Sequence, residues 1–236
     1  MRAKAGKITT VFAPENYLDL ERTEHRVIFE NVESVWQALP KIAAYLKFRL
    51  KPAINGKLIG KPFLGNAVFV GRGTTIEHGA MIKGPAWIGE NCEIRNGCYI
   101  RENVIMGNGV VAGNSSEFKN CLIFDEAQVP HFNYVGDAIL GYKAHLGAGV
   151  ILSNVKLDKS EITVPGPDGK PVATGLKKFS AVIGDEAEIG CNSVISPGSL
   201  IGRHSIIYPG TSWRGVLEAN HIVKSRQTTE IVPRRR

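Results

Sequence analysis

Among the six histidines of the chain, His131 sits in the setting most suited to chemistry. An imidazole titrates near neutral pH and can take a proton from an attacking amine or hydroxyl. His131 lies in a four-residue stretch, Pro130 to Asn133, that falls out of an otherwise regular hydrophobic rhythm. Irregularities of that kind re-aim side chains and concentrate beside active sites. His78 and His204 have no motif partner. The four cysteines (92, 98, 121 and 191) form no CxxC pair, so neither a zinc site nor a redox motif is expected, and reduced thiols in a cytoplasmic protein are. The formal charge is +7, much of it in Arg214, Lys224, Arg226, Arg234, Arg235 and Arg236. Such a cluster attracts a small polyanion, a nucleotide cofactor or a sugar phosphate; otherwise it is a solvated tail. With no helix-turn-helix, zinc finger or aromatic-rich RNA motif, nucleic acid is not an expected partner. No run of about 18 apolar residues suggests a membrane span. No apolar segment follows the basic start, Met1 to Gly6, as a signal peptide would require.

The elements that must position these residues follow from a repeat of period six. Large apolar residues recur at Leu64, Val70, Ile76, Ile82, Ile88, Ile94, Ile100 and Met106, and the phase extends through Ala112, Phe118 and Phe124. Four places after each comes a small or apolar residue, among them Thr74, Ala80, Cys92 and Cys98. A second train runs Tyr134, Leu140, Leu146, Leu152, and a third runs from Ile183 to Trp213. Period six is neither helical nor simply alternating. It fits short strands separated by turns, three to a coil, stacked as parallel strands into a triangular prism whose inward residues form the core. About 21 hexads predict about seven coils.

Three segments depart from the repeat. Residues 1–57 precede it, and Val32, Val35, Trp36, Leu39, Ile42, Ala43 and Leu46 recur there at helical spacing. One or two helices are expected, broken near Pro40 and packed on the prism end as a cap. The ten residues from Phe124 to Tyr134 leave 130–133 out of register. Residues 155–180, rich in Gly and Pro, read as a loop leaving the prism and free to reach a neighbouring subunit. The expected division is therefore a cap (1–57), a β-helix (58–218) and a basic tail (219–236).

The run HFNYVGDA (His131 to Ala138), with Glu117 and Lys119 before it, LGAG (Leu146 to Gly149), Ser153-Asn154 and later Lys178 to Asp185 resembles the acetyltransferase half of the bifunctional N-acetylglucosamine-1-phosphate uridyltransferase/glucosamine-1-phosphate acetyltransferases. The likeness spans about residues 95–215. It implies an all-β, left-handed parallel β-helix of hexapeptide repeats and a homotrimer with sites between prisms. It implies His131 as general base, Arg101 and Lys119 as holders of the sugar's phosphate, and Tyr134, His145 and Asn154 around the sugar. Acetyl-CoA would lie by Gly147, Ala148, Cys191 and Tyr208, an amide near Gly147 to Gly149 would steady the oxyanion, and Arg214, Lys224 and Arg226 would meet the coenzyme's phosphates. Two positions depart from the family: His145 replaces an Asn and Cys191 a Ser. Residues 1–57 are too short for the uridyltransferase domain and lack its Gly-rich loop, so nucleotide transfer is not expected. The γ-class carbonic anhydrases also resemble this repeat, but their paired-histidine spacing is missing, His131 and His145 being fourteen apart; no metal is expected.

The resulting expectation is an acetyl-CoA-dependent acetyltransferase acting on an amino sugar phosphate, glucosamine 1-phosphate by resemblance, in UDP-N-acetylglucosamine biosynthesis. Two alternatives remain at this point: transfer to a nucleotide-linked amino sugar, and a non-catalytic trimeric module that binds sugar nucleotides.

Overall fold

A computed structural model describes residues 11–226 and 230–234; Arg235, Arg236 and Met1 to Gly6, which figured in the charge and leader readings, lie outside the described residues. The chain is an all-β parallel β-helix. Three parallel sheets of nine, nine and eight strands form the prism walls. The first face runs from Ala53–Ile54 to Val216–Leu217, the second from Lys57–Leu58 to Ile222–Val223, and the third from Phe63–Leu64 to Ser212–Trp213. The prism is thus longer than the seven coils expected. Its terminal strands, such as Lys57–Leu58 and Ile222–Val223, are largely exposed, so their sequences carry little of the apolar rhythm. Among the described residues, no helix is long and apolar enough to cross a membrane.

Each strand sends two side chains inward, a small one and then a large one, and one outward between them. Val68 and Val70 are inside, as are Ala80 with Ile82 and Cys98 with Ile100. Where the small residue carries a hydroxyl, it is spent on a corner carbonyl. Thr74 Oγ1 donates to Gly89 O at 2.7 Å and Ser205 Oγ to Glu218 O at 2.7 Å. This satisfies groups that would otherwise be buried at a cost.

The register around His131 differs from the expected bulge. Val104 pairs with Cys121, seventeen residues on, whereas Ala86 pairs with Val104, eighteen on. The next coil is again short, since Leu122 pairs with Ile139. Each loses one residue at the corner between the third and first faces, at Asn120 (φ 45°) and Asp137 (φ 51°). The inward train is therefore Phe118, Ile123, Val129, Val135, Leu140. Phe124 and Tyr134 are not in it, and residues 130–133 keep the register.

The N-terminal segment does not cap the prism end. It lies along the first face, where a second apolar set points outward: Trp87, Ile105, Leu122, Ile139, Val182 and Leu200. An apolar face must be buried against another element, and Phe12, Leu18, Ile28, Phe29, Val35, Trp36, Leu39, Ile42 and Leu46 cover it. The segment is a series of 3-10 turns followed by one α-helix, Ile42–Arg49. Pro40 closes the 3-10 run Val35–Lys41 just before it. The segment runs against the direction of the coils. Tyr17 lines a cavity with Val216 and Leu217, Asp185 N donates to Tyr17 O at 3.0 Å, and His25 stands edge-on to Trp87 at 5.3 Å. Residues 155–180 form a hairpin, Thr163–Pro165 against Pro171–Ala173. Its Ile162 and Val164, with Phe179, pack onto the same first-face cluster.

His25 makes this cover pH-sensitive. The ring is fully buried, its Nδ1 pairs with Tyr45 Oη at 2.9 Å, and its Nε2 has no hydrogen bond. Burial, and then repulsion from Arg49, lowers its pKa to about 4, with the Glu24 carboxylate 3.9 Å away. Between the unfolded value near 6.5 and about 4 the unfolded chain binds the proton and the folded one does not. Stability therefore falls as pH drops through that window, by about 3 kcal/mol, and no further below it. Urea unfolding at pH 7 and pH 4.5 should register most of this difference, and His25→Leu should shrink it; an equal pH dependence in the variant would remove His25 as the cause.

Candidate functional site

The short coils draw one edge of the third face together. Arg101, Lys119, Gly136 and Ser153 follow one another there on successive strands. Arg101 Nη1 donates to Glu117 Oε1 at 2.9 Å, and that bond, with Glu102 adding to it, raises the guanidinium pKa. Lys119 Nζ lies 3.8 Å from Asp137 Oδ2, with 16% of its side chain exposed. Asp137 is the hub: Asn120 Nδ2 donates to Oδ1 at 2.8 Å and Asn154 Nδ2 to Oδ2 at 2.6 Å. Asn154 Nδ2 also reaches Tyr134 Oη at 3.2 Å. Burial, reinforced by Asp137, raises the Tyr134 pKa, which keeps the phenol protonated and able to donate. The Tyr134 ring lies across Gly136, where an added Cβ would meet its hydroxyl. Tyr134 itself points outward.

His131 stands at the other edge of the third face, on the corner after the second-face strand Gln128–His131. Its backbone is pinned by Asn133, which is 3% exposed: His131 N donates to Asn133 Oδ1 at 3.0 Å, and Asn133 Nδ2 to Gly147 O at 2.7 Å. The imidazole is exposed. With about 3.3 Å per extended residue, the His131 corner and the Lys119–Gly136 row are on the order of 10 Å apart, the length of a sugar phosphate.

Gly147, Ala148 and Cys191 continue the His131 corner on later coils. Gly149 N donates to His131 O at 3.0 Å, Asn192 N to Ala148 O at 2.8 Å and Gly210 N to Cys191 O at 2.8 Å. Tyr208 follows on the same corner, its ring 5.4 Å below Lys224 Nζ. Arg214 is elsewhere. It lies on the opposite edge of the third face and shares a cavity of about 450 Å³ with Ser153, Lys156, Asp158 and Ser196. The structure thus parts Arg214 from Lys224. It also parts His145 from the rest of the site: His145 is on the second face, its Nδ1 paired with Glu188 Oε2 at 2.7 Å, in a cavity with Glu126, Gln128, Lys143 and Glu186. Among the described residues no group of three or more His, Cys, Asp or Glu side chains is placed to hold a metal ion.

Two residues were missed as candidates. Asp137 belongs to the GDA triplet, and its signal was the shortened repeat at that corner. Asn133 occupies a position that other coils fill with Ala80, Cys98, Ser116, Val150, Ser193 or Thr211; a large amide at a small inward position marks a polar job.

Residues 82–168 match the GMPPB C-terminal domain. The bifunctional sugar-1-phosphate nucleotidylyltransferase/acetyltransferase of Sulfurisphaera tokodaii is 36% identical over 96 residues, 41% of this chain and 24% of that protein. The bifunctional protein GlmU of Methanococcus maripaludis is 38% identical over 93 residues, 39% and 22% of the two chains. A putative uncharacterized acetyltransferase of Escherichia coli, YaiX, is 37% identical over 106 residues, 45% and 44% of the two. The matched segment spans less than half the length of each of these relatives. Among solved structures, GDP-perosamine N-acetyltransferase of Caulobacter crescentus aligns over 64% of this chain and 53% of that one at 17% identity, with a TM-score of 0.28.

Proposed function

We propose that the chain is an acetyl-CoA-dependent N-acetyltransferase whose acceptor is an amino sugar phosphate of the glucosamine 1-phosphate kind. The observation that carries this reading is the cationic row Arg101–Lys119, joined to Tyr134, Asn154 and Asp137 on one face, about a sugar phosphate's length from His131. Arg101 and Lys119 would take the phosphate through charge-assisted hydrogen bonds. The amine must be neutral to attack the thioester carbonyl. His131 would accept the proton it sheds as the C–N bond forms, and the departing thiolate would then take that proton as the C–S bond breaks, leaving free thiol and an amide. The amides of Gly147 and Gly149 already donate to Ile189 O at 2.7 Å and His131 O at 3.0 Å. Ala148 N would therefore be the oxyanion donor, and it adjoins His131 on the next coil.

A homotrimer belongs to this reading. The first face is covered by the chain's own N-terminal segment, and the second presents mostly polar side chains through its middle, Thr75, Glu93, Gln128, His145 and Glu188. The third carries outward apolar residues in two register stretches, Phe63, Met81 and Tyr99, then Tyr134, Ile151 and Val194, with Glu117 between them; four of the six apolar ones are exposed. Exposed apolar stretches of this kind mark an interaction surface. Light scattering should return three times the chain mass of 25.7 kDa; a monomer would remove the trimer. The cavity holding Lys156 and Arg214 continues the same edge beyond Asn154, and it favours a second acceptor class, a nucleotide-linked amino sugar with further phosphate to bind.

The deciding experiment is thiol release from acetyl-CoA against a panel of amino sugars, their 1-phosphates and their nucleotide derivatives. Release with one acceptor names the substrate. Tight acceptor binding without release makes the protein a binding module instead.

A further inference from the structure

The second-to-third corner needs a left-handed residue in every coil. It is filled by Gly79, Gly97, Ser115, Phe132, Gly149, Asn192 and Gly210, with φ between 53° and 76°. Five of these are glycine or asparagine, which enter that region at little cost, and Ser115 is small. Phe132, at φ 54°, is the exception, and a bulky side chain there is strained. The fold gains little in return, because Phe132 is 59% exposed. Its ring centroid lies 6.3 Å from that of His131.

A strained, exposed aromatic ring beside the candidate base has its use outside its own chain. The residues suited to the acceptor lie on the third face and its far edge, so the acceptor approaches His131 from that side. The thioester is left the other side, along the corner of Ala148 and Cys191. Gly149, which follows Phe132 on the next coil, leaves the ring's flank uncovered there. We propose that Phe132 is a positioning residue for the acyl donor, its ring packing against the apolar arm that carries the thioester. The proposal rests on the acetyltransferase reading above.

The test is Phe132→Asn, the residue this corner already carries at 192, with Phe132→Leu beside it. Asn relieves the backbone and removes the ring. The melting temperature should hold or rise by about 2 °C. The KM for acetyl-CoA should rise about tenfold, more than kcat or the acceptor KM changes, in keeping with an aromatic contact worth about 1.4 kcal/mol. Leu should restore most of the donor affinity. An unchanged donor KM, a shift in the acceptor KM alone, or a loss of assembly with a lower melting temperature would overturn the proposal. Acetyl-CoA binding followed by calorimetry separates the two readings. Wild-type binding without turnover, weakened in Phe132→Asn, would sink the catalytic reading and keep this one; no wild-type binding would sink both.

Discussion

His131→Ala is expected to reduce kcat by about 10²- to 10⁴-fold, the span a positioned general base contributes. The acceptor KM should move little, since Arg101, Lys119 and Asn154 lie along the opposite edge of the third face and Tyr134 reaches toward them across Gly136. The melting temperature should stay at the wild-type value, because the imidazole is exposed and the turn is held by Asn133 through the His131 backbone, not its ring. Thiol release from acetyl-CoA across pH 6 to 9 is the measurement. Wild-type turnover in the variant would end the assignment of His131 as base. A large rise in acceptor KM with kcat intact would make it a binding residue instead.

Phe124→Ala is expected to cost about 3–5 kcal/mol, the range for an aromatic ring lost from a packed core, and to lower the melting temperature by about 10 °C in a chain of this length. Phe124 is 0% exposed and meets Phe29 at 6.0 Å between centroids, close to edge-on. It therefore joins the prism to its N-terminal cover, at a corner away from His131. Turnover at 20 °C should survive. A cost near zero would mean that the cover contributes little to stability.

Phe124 also shows where reading the sequence ran out. The prism was legible because the inward pair, small then large, returns every six residues, and chance does not sustain that from Val68 to Phe118 and again from Ile183 to Trp213. The slip at Phe118 was not. Ile123 and Phe124 are adjacent and both apolar, so counting by six selects the wrong one, and a one-residue shift exchanges inside for outside. The same error turned Tyr134 inward and placed a bulge at His131. The seat of the N-terminal segment was written in a second, slower period: Phe69, Trp87 and Ile105 stand eighteen apart, on every third strand, and a scan at six averages over them. At the site, His131 was singled out by an apparent break in register and by the resemblance; the break was the slip at Phe118 counted forward, so the resemblance alone leads to His131 and to its companions on the third face. Asp137 was hidden because its role comes from one of the two corners that are a residue shorter than the rest. His145 stands on another wall because outward positions on consecutive faces look alike in the sequence.

The N-terminal cover runs back along most of the first face, from the coil of Leu217 to the coil of Trp87. A stack of repeats with contacts only between neighbours comes apart piecemeal, coil by coil. A strap that touches early and late coils ties their fates together and lengthens the average loop that folding must close. It also sets an order of events. Residues 12–18 leave the ribosome before any coil of the prism, yet part of their seat is Leu200, Val216 and Leu217, some two hundred residues later. A segment made before the prism finds its full seat only after the last coils are made, and until then the apolar first face stands open to whatever else is in solution.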